Sequence, residues 1–72
     1  MDNLIKPNFQ TRPYKPTEVV RIKDRLQQFL YIKHGAKPVD MYVSSEDDCL
    51  IMLFMKSETK ELYEKWRMYA LK

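Results

Sequence analysis

Val39-Asp40-Met41-Tyr42-Val43-Ser44-Ser45-Glu46-Asp47-Asp48-Cys49-Leu50-Ile51-Met52-Leu53-Phe54-Met55 reads as two strands joined by an acidic turn. Val39, Met41 and Val43 alternate with Asp40, Tyr42 and Ser44, the period of a strand with one wetter side. Cys49 to Met55 is apolar without a break, as in a strand covered on both faces. A turn made of residues 45–48 sets Ser44 opposite Cys49, Tyr42 opposite Ile51 and Asp40 opposite Leu53. Cross-strand partners share a face. One face then gathers Val39, Met41, Val43, Leu50, Met52 and Phe54, suited to receive helices. The other gathers Tyr42, Cys49, Ile51, Leu53 and Met55, relieved only by Asp40 and Ser44. An odd turn length would pair different faces, so the turn decides the assignment.

Upstream, Val19, Ile22, Leu26, Phe29 and Leu30 recur at helical spacing, with Thr17 as N-cap and Glu18 in the first turn. Lys33 and His34 suit the negative end of the helix dipole. Gly35, the only glycine, fits the left-handed residue that closes a helix, and Pro38 prevents its resumption. Downstream, Ser57 is the expected N-cap of a last helix, with Glu58 and Glu61 early in it and Leu62, Trp66, Tyr69 and Ala70 as its apolar stripe. Residues 1–16 hold Pro7, Pro13 and Pro16 and show no periodicity, which predicts an extended arm. The expected fold class is therefore α+β, ordered helix–strand–strand–helix. Residues 17–72 form a single αββα domain, its antiparallel β-hairpin packed under two helices. Leu26, Phe29, Leu53, Phe54, Leu62 and Trp66 are expected to be buried.

Seventy-two residues lie near the lower limit for a core that stands without staples. Cys49 is the single cysteine, so no internal disulfide forms, which points to a reducing, cytoplasmic setting. The opening residues lack the apolar stretch of a signal peptide, and no apolar run approaches the roughly 20 residues that span a bilayer, so no membrane partner is expected. The net charge of +3 is too weak by itself to imply nucleic acid.

Catalytic groups are sparse. His34 is the only histidine and reads as a helix-end residue, while Cys49 lies in an apolar strand where thiols are packing groups. Glu46, Asp47 and Asp48 form an acidic tip but lack the ligand spacing of a calcium loop, and one glycine cannot build a phosphate cradle. The sequence therefore predicts no enzyme, cofactor or metal. Its candidates for partner binding are Arg21 and Arg25 on the outer face of the first helix, the acidic tip Glu46-Asp47-Asp48, and Tyr31 and Tyr63 as exposed aromatics.

The stretch from Gly35-Ala36-Lys37-Pro38-Val39-Asp40 through the apolar strand to Glu61-Leu62-Tyr63-Glu64-Lys65-Trp66 resembles small domains of unknown function from bacilli and their phages. There, a helix ending in glycine leads to a hairpin and then to a helix carrying a leucine and an aromatic. That resemblance covers about half the chain and carries no assigned chemistry. It implies a phage or mobile-element accessory protein, a class whose short chains act by binding a host component.

A hairpin covered on one face by its own helices leaves Tyr42, Ile51, Leu53 and Met55 in water, and a two-stranded sheet is marginal. These four residues are the expected self-association surface of a homodimer whose strands complete a four-stranded sheet, unless Phe9 and Tyr14 fold back over them. The expected function is a non-enzymatic protein-interaction module that inhibits or modulates a host, plausibly defence, protein. Its rival is a small DNA- or RNA-binding regulator using the basic arm and first helix. A nucleotide sponge with its pocket between protomers is a third reading that no residue favours.

Overall fold

The computed structural model describes the backbone of Leu4–Ile5 and residues 9–72. In chain order the elements are β1 (Leu4–Ile5), a 3-10 turn (Pro16–Glu18), β2 (Val19–Ile22), α1 (Arg25–Lys33), β3 (Asp40–Ser44), β4 (Cys49–Met55) and α2 (Lys56–Arg67). The fold is α+β, with an antiparallel hairpin packed against two helices. Its sheet has the order β1-β3-β4-β2, antiparallel throughout.

The hairpin has the even turn. Ser44 pairs with Cys49, Tyr42 with Ile51 and Asp40 with Leu53, and Asp48 takes a left-handed φ of 52°, a conformation Asp tolerates better than most residues. One detail departs from the expectation. Val39 N–H donates to the Leu53 carbonyl at 2.8 Å, although Asp40 is the residue paired with Leu53. Two residues thus oppose one, the arrangement of a β-bulge. Val39 is thereby buried with Ile51 and Leu53 instead of joining Met41 and Val43 on the opposite face.

The first helix begins later than its apolar spacing predicts. Val19, Val20 and Ile22 are β-branched residues of the edge strand β2, pairing with Met55, Phe54 and Met52. The helix starts at Arg25, where the Asp24 carboxylate caps it by accepting from Gln27 N–H at 3.0 Å. Thr17 lies instead in the 3-10 turn. At the other end Gly35 takes φ 93°, its N–H donating to Ile32 O and the next N–H, of Ala36, to Tyr31 O, the closure expected of that glycine. The last helix follows β4 directly. Met55 is its N-cap, Ser57 falls inside the first turn, and Thr59 Oγ1 donates back to Met55 O. It stops at Arg67 because Tyr69 turns left-handed, at φ 57°. Tyr69 and Ala70 are consequently exposed and Leu71 is buried in their place.

Each sheet face carries a core. Beneath the helices Phe54 and Tyr31 meet edge to face with centroids 5.3 Å apart, among Ile22, Leu30 and Leu71, with Leu62 and Trp66 half-buried around them. On the other face Val19, Val39, Ile51 and Leu53 form a second cluster, joined by Tyr14, Tyr42 and Met55.

This second cluster corrects the expected self-association surface. Ile51 is 1% exposed and Leu53 6%, while Tyr42 and Met55 are half-buried. The segment before β2 lies against this face. Thr11 N–H donates to Val39 O at 2.8 Å, and the Tyr14 hydroxyl donates to Asp40 Oδ2 at 2.6 Å. Phe9, the other candidate cover, is half-exposed. The hairpin's free edges are likewise filled by β1 and β2 of the same chain, so four strands are reached without a second copy.

The Tyr14–Asp40 bond has a pH signature. Accepting carboxylate, burial and the Asp40 charge all oppose ionisation of the phenol, raising it from 10.0 to about 12. A folded-state value above the unfolded one contributes stability in full below pH 10, and this is lost as pH rises through 12. Tyr14→Phe is expected to cost about 1–2 kcal/mol at neutral pH, since it strips a donor from a buried carboxylate. The variant should also lose the part of the alkaline destabilisation between pH 10 and 12 that wild type shows in urea titrations.

Candidate functional site

The first helix carries apolar residues on both its inner and its outer face. Its buried residues are Gln27, Gln28, Leu30 and Tyr31, whereas Leu26 is 57%, Phe29 60% and Ile32 43% exposed. Two glutamines can lie inside because each amide is satisfied. Gln27 Nε2 donates to the Tyr31 hydroxyl at 3.0 Å. Gln28 Nε2 donates to Ile22 O at 2.8 Å and to Leu50 O at 2.7 Å, so both of its N–H groups bind carbonyls of β2 and β4. These bonds fix the helix's rotation about its axis and so turn Leu26, Phe29 and Ile32 outward. Each forgoes around half of the roughly 1.5–3 kcal/mol that full burial of such a side chain is worth. Arg25 and Lys33 stand at the two ends of this face, and α1 contains no acidic residue. The result is an apolar surface with a basic rim.

The residues singled out from the sequence are dispersed. Arg21 is on the edge strand β2 and Arg25 opens α1, both exposed, so they do not share a helix face. Tyr31, expected as an exposed contact, is fully buried against Phe54. Burial raises its hydroxyl's pKa, opposed by the Gln27 bond. Tyr63 is half-exposed, at the rim of a cleft that Tyr31 floors together with Val20. Glu46, Asp47 and Asp48 are exposed at the hairpin tip. Asp47 forms an ion pair with Lys23, which lowers the Asp47 pKa and raises that of Lys23, in each case chiefly through their hydrogen bond. The tip thus faces the β2–α1 junction of its own chain. Leu26 and Phe29 were expected in the core. Gln27 and Gln28 occupy that place because their partners are backbone carbonyls distant in sequence.

A groove of about 800 Å³ runs between the arm, the loop after α1 and the first half of α2, with Arg12, His34, Lys37, Glu58 and Lys60 on its walls. An Arg12–Glu58 pair at 2.5 Å is exposed there. His34 Nε2 lies 2.8 Å from Lys72 O and donates to it as N–H, a tie between the end of α1 and the chain beyond α2. Cys49 Sγ is 3.5 Å from Asp47 O, at the hairpin tip. His34 and Cys49 therefore each bond a backbone carbonyl, with no hydrogen bond between them. Among the described residues no group of three His, Cys, Asp or Glu side chains is placed to hold a metal ion, and no helix is long and apolar enough to cross a membrane.

No family model, curated protein or solved structure matches this chain. The functional reading rests on its own surfaces.

Proposed function

We propose that this chain is a non-enzymatic protein-interaction module whose binding surface is the outer face of α1. The carrying observation is the second apolar side of that helix: Gln27 and Gln28 share the inner face with Leu30 and Tyr31, and Leu26, Phe29 and Ile32 stand about half-exposed on the outer one. A helix serving only the sheet beneath it would turn its apolar side down. Exposed apolar residues grouped on one element mark an interaction site, and the aromatic Phe29 at its centre is of the anchor type. Arg25 and Lys33 favour a partner whose apolar patch has an acidic rim. The resemblance to small phage-borne domains is consistent with a host protein in that role, inhibited or modulated by occupation of its surface.

A second copy fits this face less well. In an antiparallel two-fold contact Arg25 of one α1 would meet Lys33 of the other at both ends, and like charges brought together in an interface cost affinity. Nucleic acid is also disfavoured, because the exposed arginines Arg21 and Arg25 flank different elements and the face between Arg25 and Lys33 is apolar.

Capture from host lysate by the tagged chain tests the reading, with and without nuclease, alongside Leu26→Ser/Phe29→Ser. Wild type is expected to retain a protein whose capture survives nuclease and about 0.5 M salt, since an apolar contact is little screened. The double variant should lose it while keeping its circular dichroism. Nuclease-sensitive capture, or equal capture by the variant, would reject α1 as the binding surface.

A further inference from the structure

We infer a second docking site, at the free edge of β2, for an extended segment of a partner protein in which apolar and acidic residues alternate. Such a segment would join the sheet as a fifth strand. The site is separate from the outer face of α1 and stands without it.

Among the described residues the sheet ends at β2, whose neighbour is β4. Leu53 turns its carbonyl to β3, where Val39 N–H donates to it. Successive residues of a strand alternate sides, so Met52 and Phe54 of β4 serve β2. Their register partners are Ile22 and Val20. The N–H and C=O of Arg21 and the C=O of Val19 are thereby directed outward, a short row that an added strand can pair with.

Two clefts straddle this edge. On the helix side one of about 390 Å³ is lined by Val20, Tyr31, Thr59 and Tyr63, with Lys56 and Lys60 at its mouth. On the opposite side one of about 550 Å³ is lined by Val19, Tyr42, Leu53, Arg21 and Lys56, among others. Among the described residues no carboxylate lines either cleft. Arg21, Lys56 and Lys60 are in no ion pair among the described residues. Side chains of an added strand point alternately to the two faces. Those on the helix side meet Val20 and Tyr63 and are apolar, while those on the other side meet Arg21 and Lys56 and are acidic. The same charges disfavour a second copy, which would bring Arg21 and Lys56 against their own counterparts.

The probe is an acetylated, amidated hexapeptide alternating leucine with glutamate, titrated into the full chain and followed through backbone amide resonances and amide exchange. Saturable binding is expected, with shifts along β2 and protection of the Arg21 amide. Affinity should fall roughly tenfold or more for the Arg21→Glu/Lys56→Glu chain and for a peptide with lysine in place of glutamate. N-methylation of the peptide backbone on its pairing side should abolish binding, and Leu26→Ser/Phe29→Ser should leave it unchanged. Absence of saturation at about 1 mM, a Kd weaker than specific docking requires, would overturn the site. So would equal binding of the N-methylated peptide. Binding lost in the Leu26→Ser/Phe29→Ser chain but kept in Arg21→Glu/Lys56→Glu would move the peptide to α1, rejecting the edge site while the interaction-module reading survives. A doubling of mass in light scattering without peptide, accompanied by Arg21 protection, would make the occupant a second copy and equally overturn the proposal.

Discussion

Phe54→Ala is expected to leave the chain largely unfolded at 25 °C. Phe54 has no exposed surface, packs edge to face on Tyr31, and sits among Ile22, Leu30 and Leu71, which come from β2, α1 and the chain after α2. Truncating such a side chain costs about 3–5 kcal/mol, through lost burial and a cavity that the surroundings fill only partly. A domain this small has about that much stability in total. Trp66→Ala should do less, because Trp66 is half-buried. Far-UV circular dichroism with a thermal melt checks both variants. A cooperative transition in Phe54→Ala near the wild-type midpoint would mean that the helices are not seated on the sheet as described.

Gln28→Met should be the next most damaging change, and it removes no volume to speak of. Methionine matches the glutamine in shape but donates nothing, so the carbonyls of Ile22 and Leu50 lose the two bonds of 2.8 and 2.7 Å that hold α1 over the ends of β2 and β4. A hydrogen bond of this kind contributes about 0.5–1.5 kcal/mol net, which places the variant about 1–3 kcal/mol below wild type. Urea unfolding gives the difference. A neutral or stabilised Gln28→Met would show that these carbonyls reach water and that the glutamine is not an inward residue.

The hairpin was legible in the sequence because its signals are local. A period of two, an acidic turn and an unbroken apolar run specify strand, turn and strand, and an even turn length then fixes which side chains share a face. Gly35 was equally legible, since a lone glycine after a helical stripe has few other uses. The start of α1 was not, because Val19 and Ile22 happen to stand at helical spacing from Leu26 and Phe29. The run of β-branched residues and the pattern of Asp24 followed three residues later by Gln27 are the signals that separate the strand from the helix. The candidate site was the least legible part. Polarity argues that Gln27 and Gln28 face water and that Leu26 and Phe29 do not, and only the position of the Ile22 and Leu50 carbonyls reverses the argument. In the same way the second sheet face read as bare because its cover, Tyr14 bonded to Asp40 and Thr11 to Val39, comes from a segment with no periodicity of its own.

The rotation of α1 about its axis decides whether Leu26 and Phe29 form a binding face or a core, and equilibrium urea unfolding of Leu26→Ser/Phe29→Ser reads it directly. Exposed positions change stability by about 0.5 kcal/mol each, so the double variant is predicted to stay within about 1 kcal/mol of wild type with an unchanged m-value. A loss of several kcal/mol, the size expected for two buried apolar side chains, would contradict the outward placement of Leu26 and Phe29 and with it the proposed binding surface.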